Sequence, residues 1–228
     1  MHRVAGIHFH IISLFPDSIE PYLQCSIVGK ARAGTGKAND GKKTPPIEVS
    51  YYDPKDFTDD SYGRVDRRPY GGGPGMVLEP EAVLRAIQKA KGKKRPKIIF
   101  FATDGEQFTE EMAQKLSKQK DIILICGRYE GIDARVQKIV KATPVTVGPY
   151  VLTGGELPAA TVIDAVSRFV PGVLGKAESL ERSRISSPEV YTRPEILKWK
   201  GKKYSVPKVL LSGNHAEIEA WKKSTQKN

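Results

Sequence analysis

Several kinds of residue and pattern are scarce in this chain, and each shortage excludes something. Two cysteines in 228 residues, Cys25 and Cys126, stand far apart. Neither a disulfide framework nor a cysteine-based zinc site is therefore indicated, and both are expected to be reduced, structural thiols. No apolar run is long enough to span a bilayer. His2, Arg3 and His8 interrupt the first residues, where a signal peptide would carry an unbroken apolar stretch, so a cytoplasmic protein without a membrane partner is the expectation. Two glycine motifs are missing as well. No Gly-x-Gly-x-x-Gly follows the first strand-like segment, which disfavours an ordinary dinucleotide site. The Gly36-Lys37 pair of GTGKANDGKKTPP lacks the glycine and hydroxyl of a phosphate loop, since Ala31 and Ala38 occupy those positions. That segment reads as a solvated insertion.

Positive charge is abundant. The net charge is +11, and Lys and Arg are spread along the chain rather than gathered in a tail, so an extended polyanion is the natural partner, nucleic acid first. Hydrophobic residues make up 39 % of the sequence, enough for one medium domain with a real core and a small appendage. Strand-like and helix-like segments alternate. GIHFHIISLFP, PIEVSYYD, KIIFFAT and DIILIC read as strands. DSIEPYLQCSIVGKARA reads as short helical pieces, and Ala82, Val83, Ala86, Ile87 and Ala90 recur at helical spacing. TEEMAQKLSK reads as a helix with Thr109 as N-cap. Such alternation predicts an α/β fold with a mainly parallel sheet, whose ligands lie at the carboxyl ends of the strands.

Three strand ends repeat one feature. Ala-Thr-Asp-Gly follows IIFF, Gly-Arg-Tyr-Glu-Gly follows IILIC, and Thr-Gly-Gly-Glu follows VTVGPYVL. On a common sheet edge these loops would line a single crevice with backbone donors and acceptors, suited to an adenosine-like ligand. Gly154 and Gly155 stand where strand must become helix; they permit positive φ or a close backbone approach. DRRPYGGGPGMVL, with four glycines stiffened by Pro69 and Pro74, reads as a functional loop.

The segments PYGGGPGM, GRYEGIDARV, VGPYVLTGGELPA, DAVSRFVPGVLG, YTRP and VLLSGNHAEIEAW occur in an order and spacing that closely resembles the bacterial tRNA (guanine-N1)-methyltransferase family, TrmD. The resemblance covers nearly the whole chain. It implies a SPOUT-class methyltransferase fold over residues 1–175 with a deep trefoil knot, an interdomain loop over 176–190, and a small helical tRNA-binding domain over 191–228. It further implies a homodimer, with each site built from both subunits, that takes methyl from S-adenosylmethionine to N1 of guanosine 37 in tRNA; DNA is not an expected partner. Cofactor contacts are implied for Phe101, Ala102, Gly127, Tyr129, Glu130, Gly131, Val147, Gly148, Pro149, Tyr150, Val151, Leu152, Gly154, Gly155 and Pro158. Asp66, Arg193 and His215 are implied as RNA-binding residues. Arg168 is the implied cation for the guanine O6, and Glu130 the acid beside an implied Mg2+.

Four departures from the family pattern stand out. Pro149 occupies a position where an acid is usual, and Arg67 follows Asp66 where a second acid is common. The family's base is an Asp on the interdomain loop, yet KAESLERSRISSPEV contains no Asp and is several residues short. Glu181 is the candidate in its place, with Glu178 and Glu189 the other carboxylates before the YTRP motif. Ending at WKKSTQKN, the chain is expected to have a reduced C-terminal arm, with extra Lys supplying tRNA contacts. Two other readings remain open: a catalytically impaired tRNA-binding relative that keeps the cofactor pocket, and a basic ribosome-associated RNA-binding protein.

Overall fold

A computed structural model describes residues 6–34, 46–174 and 189–225. The chain divides into two compact units, one ending at Gly175 and one beginning at Lys176. In chain order the first unit contains β1 (Ile7–Ile12), α1 (Glu20–Leu23), α2 (Ser26–Arg32), β2 (Ile47–Tyr52), the two-residue strands β3 (Asp66–Arg67) and β4 (Val77–Leu78), and α3 (Pro80–Lys91). It continues with β5 (Lys97–Gln107), α4 (Glu110–Leu116), β6 (Asp121–Ile125), α5 (Ala134–Val140), β7 (Thr143–Thr146) and α6 (Glu156–Ser167).

Five strands form one sheet in the order β2-β1-β6-β5-β7, and every neighbouring pair runs parallel. Parallel strands need crossover connections, and the helices of those crossovers cover both faces. On one face Ile7, Phe9, Ile11, Ile122 and Leu124 pack against Val28 and Ala31 of α2, Ala113 and Leu116 of α4, and Val162, Ile163 and Val166 of α6. On the other, Ile12, Ile123 and Ile125 pack against Val83, Ala86 and Ile87 of α3 and Val136 of α5. Burial on both sides explains why β6 reads as an unbroken apolar run; each large side chain so buried contributes about 1.5–3 kcal/mol.

Helix α3 buries Ala82, Val83, Ala86, Ile87 and Ala90, the positions its spacing predicts. The Thr109 hydroxyl accepts a hydrogen bond from the Met112 amide at 3.2 Å, capping α4 as expected. Sequence reading did not foresee α5, which is capped by Asp133, whose carboxylate accepts from the Arg135 amide at 2.9 Å. Strand β7 stops at Thr146 rather than running on through VGPYVL. Gly148 and Pro149 break the ladder there, and the Thr146 hydroxyl donates to the Gly148 carbonyl at 2.9 Å to close a turn.

At the amino ends of the strands one sheet face changes from apolar to polar. His8 pairs in register with Asp121 on β6 and with Glu48 on β2. Burial, with the neighbouring ring's charge for His8, pushes the His8 and His10 imidazoles below the ordinary histidine value.

The second unit contains β8 (Ile196–Trp199), β9 (Lys202–Ser205), α7 (Lys208–Leu211) and α8 (His215–Thr225). The expectation of a helical appendage accounts for α7 and α8 but not for the antiparallel β8–β9 hairpin. Its turn is Lys200-Gly201, at φ 47° and 76°, the left-handed pair that a two-residue hairpin loop requires. All eight strand residues are exposed.

Candidate active site

Three loops at the carboxyl ends of β5, β6 and β7 enclose a cavity of about 470 Å3, within the usual range of about 300–1,000 Å3 for small-molecule sites. The first wall is an excursion within β5. Phe101 and Glu106 both pair with Val145, so the residues between them loop out of the sheet and place Ala102, Thr103 and Asp104 on the cavity. A second wall is Gly127 to Ile132, the third Val145 to Val147 with Tyr150 to Gly155, and Pro158 of α6 closes one side.

The structure gathers Phe101, Ala102, Gly127, Tyr129, Glu130, Gly131, Val147, Tyr150, Val151, Leu152, Gly154, Gly155 and Pro158 around this space. Gly148 and Pro149 do not line it. Gly148 is buried beneath the Tyr150 ring, and Pro149 faces solvent. Glu181 lies outside the described residues. Arg168 is the C-cap of α6; the helix has twelve residues from Glu156, which puts its ends about 18 Å apart at 1.5 Å per residue, and Arg168 does not line the cavity. Asp66 sits in β3 opposite Leu78. Arg193 and His215 are exposed residues of the second unit.

Of the two readings of the Gly154-Gly155 pair, positive φ and a close backbone approach, the structure shows the second at Gly155. Gly155 adopts an ordinary helical conformation, φ −83° and ψ −4°, so no left-handed backbone is needed. A Cβ there would lie 2.5 Å from Cys126 Cα and 3.0 Å from Gly127 N. The Gly155 amide donates to the Gly127 carbonyl at 3.0 Å. The third loop thus lies directly on the backbone of the second, which leaves no room for a side chain at Gly155. Gly154 makes room for the side chains of Arg128 and Glu156, each 2.5 Å from its hypothetical Cβ.

Those two side chains form a buried support that sequence reasoning missed. Glu156, 2 % exposed, accepts from the Ser13 hydroxyl at 2.8 Å, and its second oxygen lies 2.9 Å from Arg128 Nε. That contact is close enough for an ion pair but lacks hydrogen-bond alignment, leaving both atoms without a hydrogen-bond partner. Glu156 opens α6, where the helix dipole favours an anion. The Arg128 guanidinium lies over the Phe15 ring, 4.8 Å from its centroid. The network ties the segment after β1 to two cavity loops. Only the acid of TGGE and the arginine of GRYEG, read together, could have signalled it.

The glycine-rich segment contributes a second support. The Glu130 amide donates to the Met76 carbonyl at 2.9 Å and the Leu78 amide to the Gly131 carbonyl at 3.0 Å. Gly75, at φ +79°, leaves the space that the Glu130 side chain occupies. Behind the second wall, burial and then the Glu156 charge push the Cys126 thiol far above its ordinary value. Cys126 is thus an inert packing residue, as expected.

The cavity has apolar walls, exposed backbone groups and two carboxylates, Asp104 and Glu130. It can hold a flat heterocycle against Leu152 and Pro158 and bind polar atoms by backbone contacts. No helix among the described residues is long and apolar enough to cross a membrane. The family model for tRNA (guanine-1)-methyltransferase TrmD matches residues 7–228. A protein of Pseudoalteromonas atlantica named tRNA (guanine-N(1)-)-methyltransferase is 40 % identical over 220 residues, 94 % of this chain and 78 % of its own. Relatives of the same name are similarly close. One from a Marinomonas species is 42 % identical over 93 % of this chain and 81 % of its own. One from Lachnospira eligens is 42 % identical over 94 % and 87 %. A match of this extent, through all three cavity loops, shows that the chain belongs to the tRNA (guanine-1)-methyltransferase family, TrmD.

Proposed function

We propose that this protein transfers the methyl group of S-adenosylmethionine to N1 of a guanosine in tRNA, the nucleoside at position 37 beside the anticodon. The observation that carries the reading is the cavity built by three glycine-bearing loops in a chain of this family. The residues present fit the cofactor: apolar side chains suit the adenine, backbone groups suit its polar edge, and the volume suits its size. When bound, adenosylmethionine supplies a methyl already activated by its sulfonium, so the protein's task is alignment and proton removal.

Guanine N1 carries a proton at neutral pH. A carboxylate must accept it as charge moves to O6, and a cation near O6 stabilises that charge. Arg168 is the cation and Glu181 the base in this reading. Asp104 is a second reading for the base, favoured by its place on the cavity wall. Glu130 would hold a magnesium ion with help from water and substrate oxygens, a usual arrangement for this ion; the ion would offset negative charge near the reacting base.

Arg168, an α6 length away from the cavity of its own chain, is the reason to propose a homodimer in which a second copy completes the site. Exposed apolar residues on the same face support it: Leu157 of α6 is 59 % exposed, Tyr22 of α1 53 % and Ile27 of α2 48 %. Tyr22 is held to α6 by its hydroxyl, which donates to Asp164 at 2.6 Å. The tight Gly155–Gly127 crossing supports a knotted chain. For tRNA, the reading draws on the net charge and on the second unit. Its hairpin carries Lys198, Lys200, Lys202 and Lys203 beside exposed Trp199 and Tyr204, a composition suited to phosphates and unpaired bases. Arg193 and His215 lie in that unit.

Methylation of unmodified tRNA transcripts with labelled adenosylmethionine tests the proposal. Stoichiometric transfer is expected with G37 present, and none when G37 is replaced by adenosine. Cofactor binding without transfer would favour the catalytically impaired relative instead.

A further inference from the structure

The amino ends of β1 and β6, at the opposite end of the strands from the cavity, bring together three side chains that the methyl-transfer reading does not use. His8 and His10 alternate along β1 and so project from one sheet face, and Asp121 opens the adjacent strand in register with His8. Their rings stack with centroids 3.9 Å apart, and His10 Nε2 lies 3.1 Å from Asp121 Oδ1. One ligand atom from each of the three lies within 4.8 Å of the other two. The geometry points to a site for a divalent transition metal, with zinc as the ion, held by His8, His10 and Asp121.

Four features support it. Two imidazoles and a carboxylate are a donor set that zinc accepts, with water in the fourth position. At about 2.0–2.1 Å to each ligand, tetrahedral donors stand about 3.3 Å apart, so the His10–Asp121 pair is already at working separation. The more exposed His8, whose side chain is 22 % accessible, supplies the remaining movement.

Both rings also have partners that tolerate either tautomer. His10 Nδ1 faces the Tyr52 hydroxyl at 3.2 Å and His8 Nε2 faces the Ser50 hydroxyl at 2.8 Å. A hydroxyl donates or accepts as required. When His10 Nε2 gives up its proton to bind a metal, Nδ1–H can donate to Tyr52, the outer-shell contact that orients a ligating histidine.

A cation already stands at the site. Lys94 Nζ lies 2.5 Å from Asp121 Oδ1, and its side chain is half exposed on the loop after α3, so it can swing out to solvent when a divalent ion takes its place. Glu48, 3.5 Å from His8 Nδ1, adds negative charge at the rim. Most of the metal-binding surface is thus prearranged, with Lys94 as competitor.

Tag-free protein, stripped with chelator and dialysed, is titrated with zinc chloride by calorimetry, and cobalt(II) is used as a spectroscopic probe. One zinc per chain is expected at micromolar or lower dissociation constant, with visible cobalt absorption of a tetrahedral site. His10→Ala and Asp121→Asn should each weaken zinc at least tenfold. Lys94→Met, which leaves the core untouched, should tighten it severalfold by removing the competitor. No zinc binding below millimolar concentration in wild type and in Lys94→Met would overturn the assignment. So would equal stoichiometry in a folded His8→Ala/His10→Ala variant, which would place the ion elsewhere. Zinc binding is read independently of methyl transfer, so either result stands whatever the outcome at the cavity.

Discussion

Replacing Gly155 by alanine tests the account of the cavity most directly, because one methyl group is set against backbone. Its Cβ would stand 2.5 Å from Cys126 Cα, whereas ordinary carbon contacts are about 3.5–4.0 Å, so the two chain segments must part by roughly 1 Å. The 3.0 Å hydrogen bond from the Gly155 amide to Gly127 would stretch with them. Overpacking costs about 1–3 kcal/mol, and a lost backbone hydrogen bond about 0.5–1.5 kcal/mol. Together these give about 1.5–4.5 kcal/mol. At about 2–4 °C per kcal/mol for a chain of this size, the melting temperature should fall by about 3–18 °C. Adenosylmethionine affinity should fall as well, since both segments line the cavity. Gly148→Ala is the control: the nearest atoms to its Cβ belong to the Tyr150 side chain rather than to backbone, and Tyr150 is 56 % exposed and can turn away. Calorimetric unfolding and ligand titration of both variants decide the matter. A Gly155→Ala protein as stable as Gly148→Ala, with unchanged affinity, would refute the crossing as the reason for this glycine.

Four further outcomes are expected. Single-turnover methylation should drop by about a hundredfold or more in Glu181→Gln if that residue is the base, with Glu178→Gln nearly silent; loss in Asp104→Asn with an active Glu181→Gln would move the role to the cavity wall. Arg168→Ala should lose about a hundredfold in rate with adenosylmethionine affinity intact, and mixed dimers of the Arg168 and Glu130 variants should recover activity if sites are shared between copies. tRNA affinity should fall steeply with salt, and removing Lys198, Lys202 and Lys203 together should flatten the log–log slope by about 2 units; an unchanged slope would remove the hairpin from the RNA contact. Burial raises the Glu20 carboxyl, but hydrogen bonds from Arg32, Tyr51 and Gln24 outweigh it and hold the group below its ordinary value. Its contribution to stability is therefore full above the unfolded-state pKa near about 4.3, and is lost as pH falls through the folded value. Tyr51→Phe should narrow that acid-dependent loss in urea unfolding between neutral and low pH.

What could be read from the residues follows from how local the determining forces are. The buried strands are legible because a parallel sheet covered on both faces demands unbroken apolar runs, and α3 because its five buried positions repeat at helical spacing. The convergence of three glycine loops was legible only on the condition that they share a sheet edge, since alternation does not say which strands are neighbours; the order β6-β5-β7 meets that condition. Helix α5 was not legible, since ARVQKIV is short and exposes Ile139, 61 % accessible, on its outer side. The hairpin of the second unit hid behind lysines on both of its faces. Arg128 and Glu156 carry no sign of pairing, because their approach depends on a crossing of loops 28 residues apart in sequence. His8, read in the sequence as an interruption of an apolar start, acquires meaning with His10 only when β6 is laid beside β1.

The excursion within β5 sets a rule for redesign. Since Phe101 and Glu106 both face Val145, the ends of the loop are anchored a fixed distance apart, and the backbone of Val145 presses on Gly105. Ala102, Thr103 and Asp104 in between carry no such burden; Thr103 and Asp104 are exposed. Randomising those three positions should yield folded libraries with altered cofactor preference. Inserting or deleting a single residue among them should be taken up by the unpaired excursion, because Phe101 and Glu106 keep their pairing with Val145 on either side, and should therefore move the cavity wall and change cofactor affinity more than it changes stability.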